Sequence, residues 1–588
     1  MVNRHDTLFC EKEFYGNGIS SSPYNESHVR AIVDGIVLHS PLHDQIPVPA
    51  CSAIVAASYE KWELDFMDHL KGKFSCAIWD DNAKRLVLAR DPYGHKPLHY
   101  CLDDGNIFFS SEIKGILAAG APYEIDLASL SDFLSLNCVP YPATMFKNIH
   151  QVRPGSMVIA DNSGIREKTY WAPSLSVDYS ISLDEAVKQL TESLRRAVKR
   201  RMVTKEAYCF LSGGIDSSAI VSFASEISGN RTIHAVSVGF KEEEENEMQD
   251  AALMAKHVGA KHHQVIVSPD SFFDMLDTMV FHHDSPFTDT SAYPTYYAAK
   301  LGRQFSDVIL TGDGPDQIME GSGHYVFAVR NSLFADRNKA MQLLSGLGAQ
   351  CAGVISSDPT PSLIPKIERK FHRDSLSPVH AAYDLRSYFP IIVKRYMCTD
   401  NLWNVHTKND PYRHPDSWFE QGEGLDDVNR YLLADMKFYL PDDLMIKVDR
   451  MCMAHGLETL SPFLDRDFSE IVNMLPGKYK IHLDEHGQII TKYALKKVCQ
   501  ERFPSGILNK KKQGFGIPLE KWLRQDQGKC LREILLDPRT LNRGYFKKRS
   551  MEKLVDVFIN NKGDYFFPNA NGIVGLLTLE LWHRRYLD

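Results

Sequence analysis

The chain has 588 residues, 44% of them hydrophobic and 24% charged, with 67 Lys and Arg against 75 Asp and Glu for a formal charge of -8. That length allows two or three domains with sizeable cores, and the composition excludes a fibre or a disordered tail. No long basic run is present to neutralise a nucleic-acid backbone, which removes nucleic acid from the expected partners.

Residues 1–10 are polar and carry charge of both signs, and no stretch is apolar for long enough to span a bilayer. The 11 cysteines are scattered singly, with neither a CxxC pair nor zinc-site spacing, which predicts free thiols in a reducing compartment. A cytoplasmic protein without membrane contact is expected. Up to about Trp171, short apolar runs such as Arg85-Leu86-Val87-Leu88-Ala89 and Asn106-Ile107-Phe108-Phe109 alternate with Gly, Asn and Asp, the texture of strands in hairpins. Around Ala172-Pro173-Ser174 this texture changes. From Ser182 the apolar positions Ala186, Val187, Leu190, Leu194, Ala197 and Val198 recur at helical spacing. The predicted division is residues 1–171, a linker at 172–181, and a second unit at 182–588. Within that unit strand-like runs alternate with helical patterns: residues 207–211 lead to a helix from Ser217, residues 234–240 precede one from Glu245, and residues 307–310 follow later. An α/β fold with a parallel sheet and a mostly helical C-terminal region follows. The acidic run 242–245 reads as a solvated face.

The chemistry concentrates in Phe210-Leu211-Ser212-Gly213-Gly214-Ile215-Asp216-Ser217-Ser218. A strand ending at Leu211, a glycine-rich turn and a helix start bring backbone N–H groups and serine hydroxyls to one point, which suits pyrophosphate. Asp216 would repel that anion unless a divalent cation lies between them, so it is assigned to Mg²⁺. The Walker A pattern with its lysine is absent, which argues against γ-phosphoryl transfer. A bare SGG would be only a serine-capped turn; strand, SGGxDS and helix together say more. Thr311-Gly312-Asp313-Gly314-Pro315-Asp316-Gln317 also follows a strand, yet alone reads as a turn. Asn509-Lys510-Lys511-Lys512-Gln513-Gly514-Phe515-Gly516, alone, reads as an exposed lysine triplet.

Together these blocks resemble the glutamine-hydrolysing asparagine synthetase superfamily along most of the chain. In the first half the resemblance rests on 70–80 (LKGKFSCAIWD), 89–98 (ARDPYGHKPL) and 110–114 (SSEIK); in the second, on the SGGIDSS loop, 311–316 (TGDGPD), 440–450 (LPDDLMIKVDR), 454–458 (AHGLE), 461–465 (SPFLD) and 512–516 (KQGFG). It implies a degenerate N-terminal Ntn-hydrolase-like, β-rich α+β glutaminase domain, then a PP-loop synthetase domain of adenine-nucleotide α-hydrolase type. It further implies ATP and Mg²⁺ as cofactors. Ser212, Gly213, Gly214, Asp216 and Ser217 would bind pyrophosphate, and Asp216 and Asp316 the metal. Leu211, Val238, Thr311 and Gly312, with Phe210, would line the adenine and ribose pocket. Lys512 would neutralise charge developing on the α-phosphate, and Asp313 would assist adenylate formation or take the amine's proton.

The departures are equally informative. Family glutaminases begin Met-Cys-Gly, with the cysteine as nucleophile; here Met1-Val2-Asn3 opens the sequence, and the nearest thiol, Cys10, is followed by Glu11. The glutamine-holding Asn-Gly-Glu appears as Asp34-Gly35-Ile36, and the family's downstream Asp-x-Glu falls on Cys51-Ser52-Ala53. Leu460 stands where the family has an arginine. Loss of glutamine hydrolysis is expected. The substrate is expected to be a small molecule or a peptide. Superfamily members with silent glutaminase domains include the β-lactam synthetases and the lasso-peptide cyclases, which join a peptide's N-terminal amine to an Asp or Glu side chain. The cyclase reading brings a precursor peptide and its maturation protease as partners. An ammonia-dependent asparagine synthetase is the alternative, and a decayed scaffold a third reading that the intact SGGIDSS loop opposes.

Overall fold

The structure, a computed structural model, describes residues 19–22, 28–42, 51–240, 247–268, 272–320, 376–504, 506–508, 517–560 and 569–588. Its first part is built on an antiparallel six-stranded sheet ordered β1 (Ile19–Ser22), β2 (Val29–His39), β3 (Lys71–Asp80), β4 (Arg85–Arg90), β8 (Ser156–Asp161) and β9 (Gly164–Thr169). A smaller antiparallel sheet holds β6 (Asn106–Ser110), β5 (His99–Asp103) and β7 (Ile149–Gln151). Side chains on a strand point alternately to its two faces, so a strand buried on both carries two apolar sets. Cys76, Ile78, Val87, Ala89, Met157 and Ile159 pack one way, against Ile54, Val55 and Tyr59 of α1 (Cys51–Trp62). Ala77, Leu86, Leu88 and Val158 pack the other way, against the small sheet through Leu98, Tyr100, Ile107 and Phe109. The near-continuous apolar runs of β3 and β4 follow from this double burial.

After α2 (Ile113–Ala118), α3 (Leu127–Leu136) and the strands that follow, the chain runs from β9 to α4 (Leu183–Arg201), where Ser182 accepts the Glu185 N–H as N-cap. The apolar stripe named above is buried on this helix at Ala186, Leu190, Leu194, Ala197 and Val198. Beyond α4 lies a five-stranded, wholly parallel sheet ordered β12 (Lys261–Val267), β11 (Ile233–Phe240), β10 (Ala207–Phe210), β13 (Val308–Leu310) and β14 (Glu458–Leu460). The described remainder after β13 is mainly helical. The order reverses at β10: the chain leaves it toward β11 and β12, then returns to β13 on its other side. In an open parallel sheet that reversal opens a crevice at the strands' C-terminal ends.

Two details differ from the sequence reading. Helix α5 spans Ile215–Ile227, so it starts inside the motif rather than after it. Helix α6 is described over Glu247–His257, and its expected start at Glu245 lies outside the described residues.

Candidate active site

The loops leaving β10 and β13 face each other across the crevice. Gly213 has φ +86°, and a Cβ there would lie 2.5 Å from the Glu247 carbonyl oxygen. Gly312 comes so close to the start of α5 that a Cβ would lie 2.6 Å from the Ser217 nitrogen. Only glycine allows either approach. Gly214 is the N-cap of α5 and supplies no side chain, so the first-turn N–H groups of a 13-residue helix are left open toward the crevice. Within the loop the Ser212 N–H donates to Ser217 Oγ at 3.1 Å and the Gly214 N–H to Ser212 Oγ at 3.3 Å.

The crevice is a cavity of about 870 Å³, within the range of small-molecule sites. Phe210, Leu211, Ser212, Gly213, Gly214, Asp216, Ser217, Val238, Thr311, Gly312, Asp313 and Asp316 all line it. The structure therefore brings together every proposed site residue among those described. Lys512, like Cys10, lies outside the described residues.

Lys492 was not legible as a site residue. Its Nζ lies 2.5 Å from Asp216 Oδ2 and 2.5 Å from Asp316 Oδ1, so one ammonium bridges the two carboxylates expected to hold a metal. Burial opposes its charge, and the two carboxylates outweigh burial, holding its pKa above the ordinary lysine value. It adopts φ +51° immediately before the helix Tyr493–Cys499, a place where sequence rules favour Ser, Thr, Asp or Asn. No local signal marks it.

This bridge also tests the donor set for Mg²⁺. Two carboxylate oxygens from separate loops already converge on one cation beside the uncapped start of α5, and Mg²⁺ takes one or two carboxylates with substrate phosphates and water. The residues fit.

Further from the loop, Lys447 Nζ donates to Asp289 Oδ2 at 3.1 Å and to Ser291 Oγ at 2.8 Å. Burial disfavours the Lys447 charge, but Asp289, Asp313 and Asp443 outweigh it and raise the pKa. Burial raises Asp313 above the usual carboxylate range, with Lys447 pulling the other way. Leu460, in the family's arginine position, is 1% exposed in an apolar cluster with Leu211 and Leu310. No charge enters the site there.

In the first part lie the positions expected from the sequence to stand in place of the family's glutamine contacts. Asp34 pairs with Lys96 at 3.1 Å, and Cys51 accepts a hydrogen bond from Val37 N–H at 3.4 Å. Ser52 and Ala53 are buried in the first turn of α1. Lys96 also reaches Asp449 at 3.0 Å and Glu458 at 2.5 Å in the second part, where Lys73 joins them at 3.4 and 3.2 Å.

A switch-point crevice with a glycine-serine loop and paired carboxylates defines a nucleotide-using synthetase site, and family comparison agrees. The asparagine synthase model matches residues 189–584 and the glutamine amidotransferase domain model residues 50–171. The chain belongs to the asparagine synthase family and is an ATP-dependent carbon–nitrogen ligase. Among similar proteins, asparagine synthetase (glutamine-hydrolyzing) 1 of Bacillus subtilis (strain 168) is 28% identical over 534 residues, 90% of this chain and 80% of that one. Asparagine synthetase (glutamine-hydrolyzing) 3 of the same organism is 27% identical over 481 residues, 79% of this chain and 70% of its own. Amidase chyE of Penicillium rubens is 25% identical over 515 residues, 80% and 73% respectively. Among the described residues no helix is long and apolar enough to cross a membrane, and all nine described cysteines are free thiols.

Proposed function

We propose that this ligase adenylates a substrate carboxylate and closes the amide with an amine the substrate itself carries, as in macrolactam formation on a lasso-peptide precursor. The observation that carries this reading is the fate of the glutamine-binding positions: Asp34 is committed to Lys96, and Cys51, Ser52 and Ala53 replace the family's acidic pair. Without bound glutamine the first domain supplies no ammonia, and the amine comes from elsewhere. The apolar setting of Leu460 agrees, because it removes the cation the family places near the usual substrate.

In this reading the open N–H groups of α5, with Ser212, Gly213, Gly214 and Ser217, bind the β- and γ-phosphates. Leu211, Val238, Thr311, Gly312 and Phe210 enclose the adenosine. Asp216 and Asp316 hold Mg²⁺, which when bound offsets phosphate charge. Lys492 keeps the two carboxylates together, and Lys512 steadies charge on the α-phosphate. The substrate carboxylate attacks the α-phosphorus, pyrophosphate leaves, and the amine attacks the acyl carbon as AMP departs. Asp313, raised by burial, takes a proton from that amine.

The deciding experiment offers the purified chain MgATP with a lasso-precursor core peptide bearing a free N-terminal amine, and in parallel aspartate with ammonium. Peptide shortened by one water, with AMP and pyrophosphate, is expected. Asparagine as the sole amide product would replace this reading by ammonia-dependent asparagine synthesis, and ADP with inorganic phosphate would overturn adenylation altogether.

A further inference from the structure

The cavity does not end at the nucleotide loop. It continues to Asp289, Thr290, Ser291, Tyr388, Lys447 and Asn571. Asp289 lies between α7 (Phe272–His283) and α8 (Ala292–Gly302), where its Oδ1 accepts the Ser291 N–H at 2.9 Å and the Ser291 hydroxyl at 2.7 Å. Burial pushes its carboxyl up, but Lys447 and these donors outweigh burial and keep it ionised. Thr290 donates to Asn571 Oδ1 at 3.2 Å, which closes this end of the cavity.

Carboxyl groups outnumber cations here: Asp289, Asp313 and Asp443 act on the one ammonium of Lys447, and burial, with Asp289 beside it, pushes Asp443 up to about 7. Arg386, which also acts on Asp443, is engaged by Asp435 at 2.8 Å. Asp443 is 1% exposed, and its Oδ2 has no hydrogen-bond partner among the described residues. A buried carboxyl oxygen left without a donor is costly, so its presence four residues before Lys447 on the same helical run calls for a second position of that ammonium.

We propose that Asp289 is the seat of the amine substrate, which it binds as a cationic ammonium, and that Lys447 is a movable counter-ion that yields Asp289 by turning to Asp443. This rests on the adenylating reading above. The seated ammonium lies within the same cavity as Asp313 and the loop that holds the acyl phosphate. One N–H bond breaks as its proton passes to the Asp313 carboxylate. The freed lone pair forms the C–N bond at the acyl carbon, and the C–O bond to AMP breaks with its electron pair leaving on AMP. The remaining surplus proton on nitrogen goes to solvent. The amine class selected is a primary amine that is protonated at neutral pH. A neutral nucleophile gains nothing from Asp289.

The test separates the carboxylate from the amine. ATP–pyrophosphate exchange with an N-acetylated precursor peptide, and with aspartate, reads adenylation alone. Ammonium chloride and hydroxylamine, the latter uncharged near neutral pH, then serve as external nucleophiles for amide and hydroxamate formation. Asp289→Asn is expected to leave exchange within about twofold of the parent and to raise the KM for ammonium roughly 10- to 100-fold, the loss of one charge-assisted hydrogen bond. Hydroxamate formation should stay unchanged, and Asp289→Glu should recover part of the ammonium KM. Asp443→Asn, which keeps Asp289 in place, should shift the ammonium KM the same way and covers the case that the first variant does not fold. Equal effects on ammonium and hydroxylamine would overturn the proposal, as would a raised KM for the peptide or aspartate in exchange. Absence of exchange in the parent chain with either carboxylate would instead overturn the adenylating reading, and the inference with it.

Discussion

At the scale of single residues, the site depends on a lysine that no motif announces. Lys492 is 2% exposed and bridges two carboxylates that would otherwise face each other. Lys492→Met should lower ATP–pyrophosphate exchange by at least about 100-fold and weaken ATP binding, because stranding buried charge costs on the order of 3–5 kcal/mol. Exchange at parental rates would show that the bridge is dispensable. A second buried lysine makes a pH prediction. Lys480 is fully buried, donates to Asn429 Oδ1 at 2.7 Å, and burial lowers its pKa to about 7. Between that value and the ordinary lysine value the unfolded chain binds the extra proton, so stability rises with pH by up to about 1.4 kcal/mol per unit. Below pH 7 both states are protonated and the slope vanishes. Denaturation of the parent and of Lys480→Met across pH 7 to 10 should differ in slope by this amount. Ser212 to Ser218 could be read directly because its atoms are contiguous in sequence. Lys492 could not, since it meets Asp216 across 276 positions.

At the scale of elements, the loops after β10 and β13 become one site because α5 and Gly312 touch. Gly312→Ala places a methyl group 2.6 Å from the Ser217 nitrogen and should abolish nucleotide binding while far-ultraviolet circular dichroism stays close to the parent's. Retained ATP affinity would mean that the two loops have slack. The strands themselves were visible in the sequence: β4, β6, β10, β11 and β13 lie where the apolar runs place them. Helix α4 likewise follows from its 3.6-residue stripe and serine cap. The start of α5 was missed by two residues because Ile215 and Asp216 carry no periodicity, and the helix begins where Gly214 ends the glycine-rich turn. The loop at 311–316 looks like a turn in isolation. Only pairing of β13 beside β10 turns it into one wall of the cavity.

At the scale of the whole molecule, the amidotransferase-like part is joined to the synthetase part through a buried ion cluster. Lys96, with a fully buried side chain, meets Asp34, Asp449 and Glu458, and Lys73 donates to Thr459 Oγ1 at 3.1 Å. Lys96→Met should destabilise the protein by roughly 3–5 kcal/mol, because Asp449 and Glu458 lose a buried counter-charge. Calorimetry should then resolve two transitions in place of one coupled unfolding. A single transition at the parental temperature would show that the cluster does not couple the parts. In this cluster lysines of the amidotransferase-like part neutralise carboxylates of the synthetase part.

The sequence by itself determined what short-range chemistry encodes: strand and helix periodicity, the change of texture near residue 172, and the glycine-serine turn between a strand and a helix. Tertiary structure decided everything that depends on distant residues meeting. The Lys492 bridge, the three carboxyl groups around Lys447 and the ion cluster between the parts all join positions far apart in the chain. Their charges are tolerated only because folding buries them together, and no local rule can signal a partner that burial alone supplies.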